Sequence, residues 1–178
     1  MGEHAACLVV RPTTTADLDQ VVAMEAHAES APWLGDIGRG WHERSLADPG
    51  QEHLVAEEAA KPGVLVGFVV LAGLAEPVVE LRRLVVSPEH RGHGRGRALL
   101  RAALARAHER HGARRVWLDV KPENVRARAL YESEGFRTEQ ALADPPGQDD
   151  AATKLIIMGR AIGEPHDERV APPRPEWT

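Results

Sequence analysis

The fold is decided by residues 91–96, RGHGRG, and by the segments on either side of them. Before this run, residues 81–86 (LRRLVV) have the aliphatic and β-branched side chains of a buried strand, which residues 87–89 (SPE) end. After it, residues 97–111 repeat leucine and alanine at helical spacing, with arginines on the other face, which predicts an amphipathic helix that Gly112 ends. A glycine-rich turn before a helix N-terminus exposes unpaired backbone N–H groups, so this turn is a candidate phosphate site.

Two common phosphate-binding motifs do not fit this turn. A dinucleotide-binding turn has the pattern G-x-G-x-x-G, but Arg97 stands where the third glycine would follow Gly92 and Gly94. The nucleoside-triphosphate loop ends in glycine, lysine and then serine or threonine, and the run has no such ending. The pattern from Arg91 to Gly96 is R-x-x-G-x-G.

A second motif lies in residues 124–136, with the pattern N-x-x-A-x-x-L-Y-E-x-x-G-F. The two motifs, in this order and separated by a helix and a strand, resemble the GCN5-related N-acetyltransferases, whose pyrophosphate loop has the pattern R/Q-x-x-G-x-G/A. The resemblance is close over residues 78–137 and looser elsewhere. The matching positions of the second motif are Asn124, Ala127, Leu130, Tyr131, Glu132, Gly135 and Phe136.

The resemblance implies an α/β fold with a mixed sheet of six or seven strands and helices on both faces. It also implies an N-acetyltransferase that moves an acetyl group from acetyl-CoA to a primary amine by direct attack in a ternary complex. Backbone atoms of residues 84–86 would pair with the pantetheine arm, and the loop amides would bind the diphosphate. The expected coenzyme-binding residues are Leu84, Val85, Val86, Arg91, Gly92, His93, Gly94, Gly96, Arg97, Asn124 and Tyr131.

Tyr131 is the only tyrosine of the chain. In the family that the motifs resemble, the tyrosine at this position points at the coenzyme sulfur and serves as the general acid for the thiolate leaving group. The alternative is a core aromatic residue beside Leu130. Asn124 would bond the pantetheine or cap the following helix, and one side chain can do both.

The base that collects the proton of the amine is expected to be a carboxylate. The resemblance implies Glu80, at the start of the strand before the loop, and the alternative is a surface glutamate paired with Arg82. Asp119, on the outward side of the next strand, is a second candidate. Glu25 or Glu29 on the first helix would line the acceptor cleft.

The composition is that of a soluble globular protein, with 43% apolar and 28% charged residues among 178. We expect one domain over residues 1–162 and a disordered, proline-rich tail over residues 163–178. No apolar run approaches the roughly 20 residues that cross a membrane, and the N-terminus lacks a secretory signal. The single cysteine, Cys7, allows no internal disulfide and has no nucleophile motif around it, which favours a cytoplasmic location.

Charge is distributed unevenly along the chain, whose formal net charge is −5. Residues 80–137 contain 14 Lys and Arg against 7 Asp and Glu, whereas the other residues contain 8 against 20. A basic segment around a glycine loop suits a polyanionic cofactor, and an acidic remainder would suit a cationic acceptor. The alternative is that most of these arginines are solvated surface residues.

Periodicity and turn residues predict the remaining elements. A strand, a helix and a second strand over residues 80–120 predict two parallel neighbouring strands. Consecutive Arg82 and Arg83 interrupt the inside–outside alternation, which favours a bulge. The predicted strands are 8–12, 53–57, 64–72, 80–86, 114–120, 136–143 and 154–160, the helices 17–29, 41–47, 97–111 and 124–133, and the loops 33–40 and 144–150.

Two other functions are compatible with parts of the sequence. One is a non-catalytic, acyl-CoA-binding sensor of the same fold, and the other is an RNA-binding segment at RGHGRGR. The second lacks interleaved aromatic residues, so no nucleic-acid partner is expected. No metal is expected either, because the pairs His90/His93 and His108/His111 have no third ligand nearby. The oligomeric state would be a monomer or a homodimer.

The acceptor stays open between a protein N-terminus, a lysine, a polyamine, an amino acid and an aminoglycoside. A lysine amine costs about 4.6 kcal/mol to present neutral at pH 7, and an N-terminal amine only about 1 kcal/mol. The N-terminal half is similar to relatives that acetylate ribosomal-protein N-termini. Trp33, Trp41 and His42 precede the hairpin, where the family shapes its acceptor site, and the alternative for each is a place in the core.

Overall fold

One mixed sheet forms the centre of the protein in the computed structural model, which describes residues 8–34, 38–142 and 155–163. The seven strands within these residues are β1 (Leu8–Pro12), β2 (Gln51–Glu58), β3 (Leu65–Ala72), β4 (Val78–Val86), β5 (Arg115–Val120), β6 (Arg137–Leu142) and β7 (Leu155–Ala161). Their order in the sheet is β1-β2-β3-β4-β5-β7-β6. The β4–β5 pair is parallel, as predicted from the strand-helix-strand order of residues 80–120. The other neighbouring pairs are antiparallel.

Helices cover both faces of this sheet, which confirms the predicted α/β architecture. They are α1 (Leu18–Ala26), α2 (Ala31–Leu34), α3 (Gly38–Ala47), α4 (Arg95–His111) and α5 (Val125–Ser133). Apolar residues of α4 and α5 pack on one face, and those of α1 and α3 pack on the other. The glycine that was expected after α4, Gly112, is its C-cap with φ of +66°.

Strand β3 separates the two cores. All eight of its residues are buried, as expected for a central strand that is covered on both sides. Successive side chains point to opposite faces, so Phe68 and Val70 pack against α1 whereas Val69 and Leu71 pack against α4. Strand β3 therefore packs against helices on both faces of the sheet.

Strands β4 and β5 pair over three positions only and then separate. The last matched residues are Glu80 and Trp117. Beyond them, β4 continues along β3 as far as Val86, and β5 continues along β7 as far as Val120. We call this opening, between residues 81–86 and 118–120, the fork.

The predicted bulge in β4 is confirmed at the start of the fork. The register between β3 and β4 moves from Val70 opposite Arg83 to Leu71 opposite Leu81. Arg82 is thus the extra residue. A bulge increases the local twist of its strand, which helps β4 to turn away from β5.

The predicted first helix, 17–29, is too long. Helix α1 ends at Ala26 because His27 is extended, with φ of −60° and ψ of 138°. The carbonyl of His27 then accepts hydrogen bonds from the amides of Ser30 and Ala31, at 2.8 and 2.9 Å. Glu29 therefore lies in the turn between α1 and α2, and its predicted place on the first helix is wrong.

The predicted loop over 33–40 is wrong at both of its ends. Trp33 lies in the short helix α2, and residues 38–40 form the first turn of α3. Residues 35–37 lie outside the described ranges. Glycines at positions 38 and 40 suggested a loop, but the helical residues that follow extend the helix over them.

Other predictions fall on residues that the structure does not describe. These are Cys7, the loop over 144–150 and residues 164–178 of the expected tail. The division of the chain at residue 162 stays a prediction. Across the described ranges, no helix has the length and apolar character of a membrane span.

Gly67 offers a test of the packing beneath the fork. A Cβ at Gly67 would overlap the carbonyl oxygen of Val85 and lie 3.3 Å from Cα of Val86, both backbone atoms of β4. We expect Gly67→Ala to lower the free energy of unfolding by about 1–3 kcal/mol, measured by urea denaturation.

Gly40→Ala is the matched control. In helix α3 the new Cβ would meet only Nη1 of Arg44 at 3.5 Å, so stability should stay level or rise by about 0.5–1 kcal/mol. Equal stability of Gly67→Ala and the wild type would contradict the close approach of β3 and β4.

Candidate active site

The fork opens into a cleft with a volume of about 1180 Å³. Its walls come from the ends of β4 and β5, the first turn of α4, helix α5, and the α1–α2 turn together with α2. All but one of the predicted coenzyme-binding residues line the cleft: Leu84, Val85, Val86, Arg91, Gly92, Gly94, Gly96, Arg97, Asn124 and Tyr131. His93 does not line it. Its exposed ring lies 3.0 Å from the carbonyl oxygen of Arg91.

Backbone geometry explains the glycines of the loop. Gly92 and Gly94 have φ of +84° and +73°, in the left-handed region that other residues enter only at a cost. Gly94 is also the N-cap of α4, and its carbonyl accepts the hydrogen bond of the Ala98 amide at 2.9 Å. The amides of residues 95–97 therefore have no partner inside the helix and are available to an anion.

Arg91 joins two walls of the cleft. Its Nε donates to the carbonyl oxygen of Val86 at 3.0 Å, and its Nη2 donates to Oγ of Ser30 at 2.7 Å. Its Nη1 lies 3.2 Å from Oε2 of Glu29. Arg91 thus fastens the α1–α2 turn to the end of β4. The phosphate contact expected of this side chain stays a prediction.

The other arginines of the basic run also have partners within the protein. Arg95 forms an ion pair with Glu58. Arg97 donates to Oγ of Ser133 at 3.1 Å and lies 3.4 Å from Oε1 of Glu134. These contacts favour the backbone amides, rather than the arginine side chains, as the main anion site of the loop.

Tyr131 belongs to the core and to the cleft at once. Its ring lies 5.7 Å from that of Phe136, and only 8% of the residue is exposed. Burial raises the pKa of Tyr131, and the charge of Asp119 raises it further, so the phenol is protonated at neutral pH. In the described part of the chain its hydroxyl has no hydrogen-bond partner, which leaves it available to a ligand in the cleft. The two interpretations of this tyrosine are therefore compatible.

Asn124 likewise combines its two expected roles. Its Oδ1 accepts a hydrogen bond from the Ala127 amide at 3.2 Å, which caps α5. The same residue lines the cleft. The cap is confirmed, and the contact with pantetheine stays a prediction.

A model of the acetyltransferase (GNAT) family matches residues 16–136. The chain belongs to this family. A candidate ribosomal protein bS18-alanine N-acetyltransferase of Bacillus subtilis (strain 168) is 30% identical over 128 residues, which cover 72% of this chain and 80% of the relative. The ribosomal protein bS18-alanine N-acetyltransferase of Escherichia coli (strain K12) is 29% identical over 148 residues, 83% of this chain and 93% of the relative.

Solved structures share the fold of this GNAT protein. Spermidine N-acetyltransferase from Vibrio cholerae, in complex with CoA and spermine, gives a TM-score of 0.74 at 22% identity, over 86% of this chain and 95% of that one. The ribosomal-protein-S18-alanine N-acetyltransferase of Escherichia coli gives 0.71 at 21% identity, over 93% and 100%. The predicted family and fold are confirmed, and the protein is an N-acetyltransferase that transfers an acetyl group from acetyl-CoA to an amine.

Two carboxylates lie at the start of the fork in this GNAT enzyme. Asp119 lines the cleft, and its pKa is raised, first by desolvation and then by the charge of Glu80. Glu80 is not among the residues that line the cleft. Its Oε2 accepts hydrogen bonds from Nη2 and Nε of Arg82 at 2.6 and 3.0 Å. The ion pair that was the alternative for Glu80 is present, and Asp119 is better placed to meet a substrate.

A buried polar chain lies behind the cleft wall. Oγ1 of Thr13 lies 2.8 Å from Nδ1 of His53, whose Nε2 lies 2.9 Å from Nδ1 of His42. Nε2 of His42 lies in turn 3.1 Å from Oε2 of Glu25. The sequence analysis named His42 and Glu25 as possible acceptor contacts, but both are buried in this chain of hydrogen-bonded side chains. Two other candidates, Glu29 and Trp33, line the cleft.

The histidine pairs that were considered for metal binding bond to the protein. Nδ1 of His90 lies 2.7 Å from Oγ of Ser87, and Nε2 of His111 lies 2.7 Å from Oε2 of Glu52. In ranges 8–34, 38–142 and 155–163, no cluster of three or more His, Cys, Asp or Glu side chains is arranged to hold a metal ion.

The buried histidines should make stability depend on pH. Burial, followed by the charge of His42, lowers the pKa of His53 from 6.5 to about 4. The unfolded chain therefore binds this proton near pH 6.5, whereas the folded protein binds it only near pH 4. The contribution of His53 to the free energy of unfolding is fully present above pH 6.5 and is lost as the pH falls towards 4. The loss is about 2 kcal/mol between pH 7 and pH 5.

Urea unfolding at pH 7 and pH 5 measures this loss. We expect His53→Gln to be less stable than the wild type at pH 7 but to lose less stability on acidification. His93→Gln, at an exposed position, should keep the wild-type pH dependence. An unchanged pH dependence in His53→Gln would contradict a neutral, buried His53.

Proposed function

We propose that this enzyme acetylates the α-amine at the N-terminus of a peptide or protein. The observation that carries the proposal is the cleft at the fork, where the glycine loop, an open strand edge, Tyr131 and Asp119 line one cavity. The bS18-alanine N-acetyltransferases, at 29–30% identity over most of this chain, support the acceptor class. The spermidine N-acetyltransferase structures, at 22% identity, support the fold alone.

The coenzyme would bind along the fork. The amides of residues 95–97 and the open backbone around Gly92 and Gly94 would hold the diphosphate at the N-terminus of α4. Past Glu80, the β5 side of β4 has no strand partner in the described chain, so residues 84–86 would pair with the pantetheine arm. This arrangement directs the thioester towards Tyr131 and Asp119.

An α-amine suits this site on energetic grounds. An acceptor must be neutral to attack the thioester, which costs about 1 kcal/mol at pH 7 for an α-amine and about 4.6 kcal/mol for a lysine. The cleft also exposes the cations Arg82 and Arg83 beside Asp119. Nearby positive charge disfavours an ammonium, and it opposes a polyamine more than an acceptor with one amine.

Asp119 is the group that we propose to accept the proton of the amine. It lines the cleft, and its raised pKa makes it a better base at neutral pH than an ordinary aspartate. Glu80 would act through its charge, which contributes to that raised pKa. The alternative is a water-mediated proton transfer to Glu80 itself, the base implied by the family resemblance. Comparing the activities of Asp119→Asn and Glu80→Gln distinguishes the two, because the larger loss identifies the base.

Tyr131 would return a proton to the departing thiolate. Its phenol is protonated at neutral pH because it is buried, and it lines the cleft. A backbone amide of residues 84–86 would polarise the acetyl carbonyl as negative charge develops on its oxygen. Each proton movement thus has a donor or acceptor within the protein, and the proposed reaction includes no step that requires a metal.

We further propose a cytoplasmic enzyme, monomeric or homodimeric, without a nucleic-acid partner.

The proposal is tested by release of free thiol from acetyl-CoA. We expect turnover with a tetrapeptide that has a free N-terminal alanine. Spermidine, and the same tetrapeptide blocked at its N-terminus and carrying a lysine, should react at least about tenfold more slowly, because their amines are harder to deprotonate. Faster turnover with spermidine would overturn the α-amine assignment. Chelation of metals should leave the rate unchanged.

Tyr131→Phe tests the catalytic step in the same assay. Loss of a general acid should lower kcat by roughly 10²- to 10⁴-fold. The phenyl ring keeps the packing against Phe136, so the Kd for coenzyme A, measured by calorimetry, should stay at the wild-type value. Unchanged turnover would remove the acid role and favour a non-catalytic, acyl-CoA-binding protein.

A further inference from the structure

Arg83 is a half-buried cation in the wall of the cleft. Its side chain is 18% exposed, and its guanidinium carbon lies 5.7 Å from the ring centroid of Trp41. In the described chain, Oε1 of Glu25 is the one carboxylate oxygen within 4.0 Å of the guanidinium. At 4.0 Å from Nε, this oxygen is beyond hydrogen-bonding distance.

Each of the two charged groups has one buried atom without a hydrogen bond. Nε of Arg83 and Oε1 of Glu25 are buried, and neither has a hydrogen-bond partner among the described residues. A buried charged group without such a partner is costly, so native proteins rarely keep one. Burial also lowers the pKa of Arg83, against the opposing charges of Glu25 and Asp119. The other two guanidinium nitrogens of Arg83 also donate to no described residue, and they are the donors that a ligand oxygen in the cleft would meet.

The buried polar chain fixes Glu25 in place. Nε2 of His42 lies 3.1 Å from Oε2 of Glu25. On its other side, Nδ1 of His42 lies 2.9 Å from Nε2 of His53, whose Nδ1 lies 2.8 Å from the Thr13 hydroxyl oxygen. These contacts hold one oxygen of Glu25, and its second oxygen lies on the side of Arg83.

The place of Arg83 on β4 indicates what it would meet. It precedes residues 84–86, proposed to hold the pantetheine arm, and it follows the bulge at Arg82. Arg83 and Asp119 are close enough for the charge of each to shift the pKa of the other. An acceptor amine that gives its proton to Asp119 thus brings its neighbouring atoms near the guanidinium.

We propose that Arg83 recognises the acceptor by donating hydrogen bonds to an oxygen of the carbonyl or carboxylate group bonded to the α-carbon of the reacting amine. This oxygen is the first amide carbonyl of a peptide or the α-carboxylate of a free amino acid. The inference rests on the proposed α-amine function. Glu25 is the positioning residue for Arg83, and Thr13, His53 and His42 hold Glu25. A polyamine has no oxygen at this position.

Acceptors that differ in this one oxygen provide the test. The first is a tetrapeptide with N-terminal alanine, the second is the same molecule with an (E)-alkene in place of its first amide, and the third is free L-alanine. Because the alkene and free alanine have more basic amines than the tetrapeptide, kcat/KM at saturating acetyl-CoA is expressed per neutral amine, from the measured pKa of each acceptor. On this scale, we expect the wild type to prefer the amide over the alkene by roughly 10- to 100-fold, the effect of a charged hydrogen bond. The ratio between tetrapeptide and alanine distinguishes the amide carbonyl from the carboxylate.

Three variants then assign the preference to Arg83. Arg83→Met keeps an apolar stem near Trp41 and should reduce the amide-to-alkene ratio to about one, with the KM for acetyl-CoA unchanged. Arg110→Met, an exposed position outside the cleft, should keep the wild-type ratio. Glu25→Gln should raise the KM for the peptide more than the KM for acetyl-CoA, and it should lower the amide-to-alkene ratio without abolishing it.

The outcomes separate this inference from the proposed function. A wild type that acetylates both peptides equally well would overturn the role of Arg83 while leaving α-amine acetylation intact, and it needs no variant to fold. Equal loss of both substrates in Arg83→Met, or a rise in the KM for acetyl-CoA alone, would also overturn it. A wild type that acetylates none of the acceptors would contradict the proposed function itself.

Discussion

A parallel pair of strands that separates after three positions leaves an open strand edge in the middle of a sheet. The rest of the site depends on this separation. Strand β4 stays paired with β3, and β5 stays paired with β7, so neither strand can close the gap without losing its other neighbour. Backbone groups on an unpaired edge favour a ligand that adds to the sheet. The bulge at Arg82 and the close approach of Gly67 to Val85 shape β4 at both ends of the fork.

Charge around the fork is divided between structure and chemistry. Most arginines of the basic segment have protein partners: Arg91 ties the α1–α2 turn to β4, and Arg95 pairs with Glu58. The loop can then offer backbone amides to a diphosphate while its side chains hold the walls together. Asp119 and Arg83 differ, since both line the cleft and neither takes part in a hydrogen bond between side chains of the described residues. They are two charged groups of the cleft wall that are available to meet the acceptor.

Local sequence signals predicted most of the fold. The helix after the loop, its C-cap at Gly112 and the Asn124 cap follow from periodicity and from residues with strong conformational preferences. The bulge was predictable because paired arginines interrupt a strand pattern. The buried chain from Thr13 to Glu25 was not, since its hydrogen bonds join residues up to 40 positions apart and leave no periodic trace. The contacts of Arg91 with the α1–α2 turn were missed for the same reason.

Amide hydrogen exchange with and without coenzyme A tests most directly whether the open edge of β4 and the glycine loop hold the coenzyme. Binding should slow exchange in two segments, residues 84–97 and residues 124–131, because both would contact the bound molecule. Exchange in β2 and α3, on the far side of β3, should be unchanged. Slower exchange confined to β2 and α3, or no change in residues 84–97 at saturating coenzyme A, would contradict the fork as the coenzyme site.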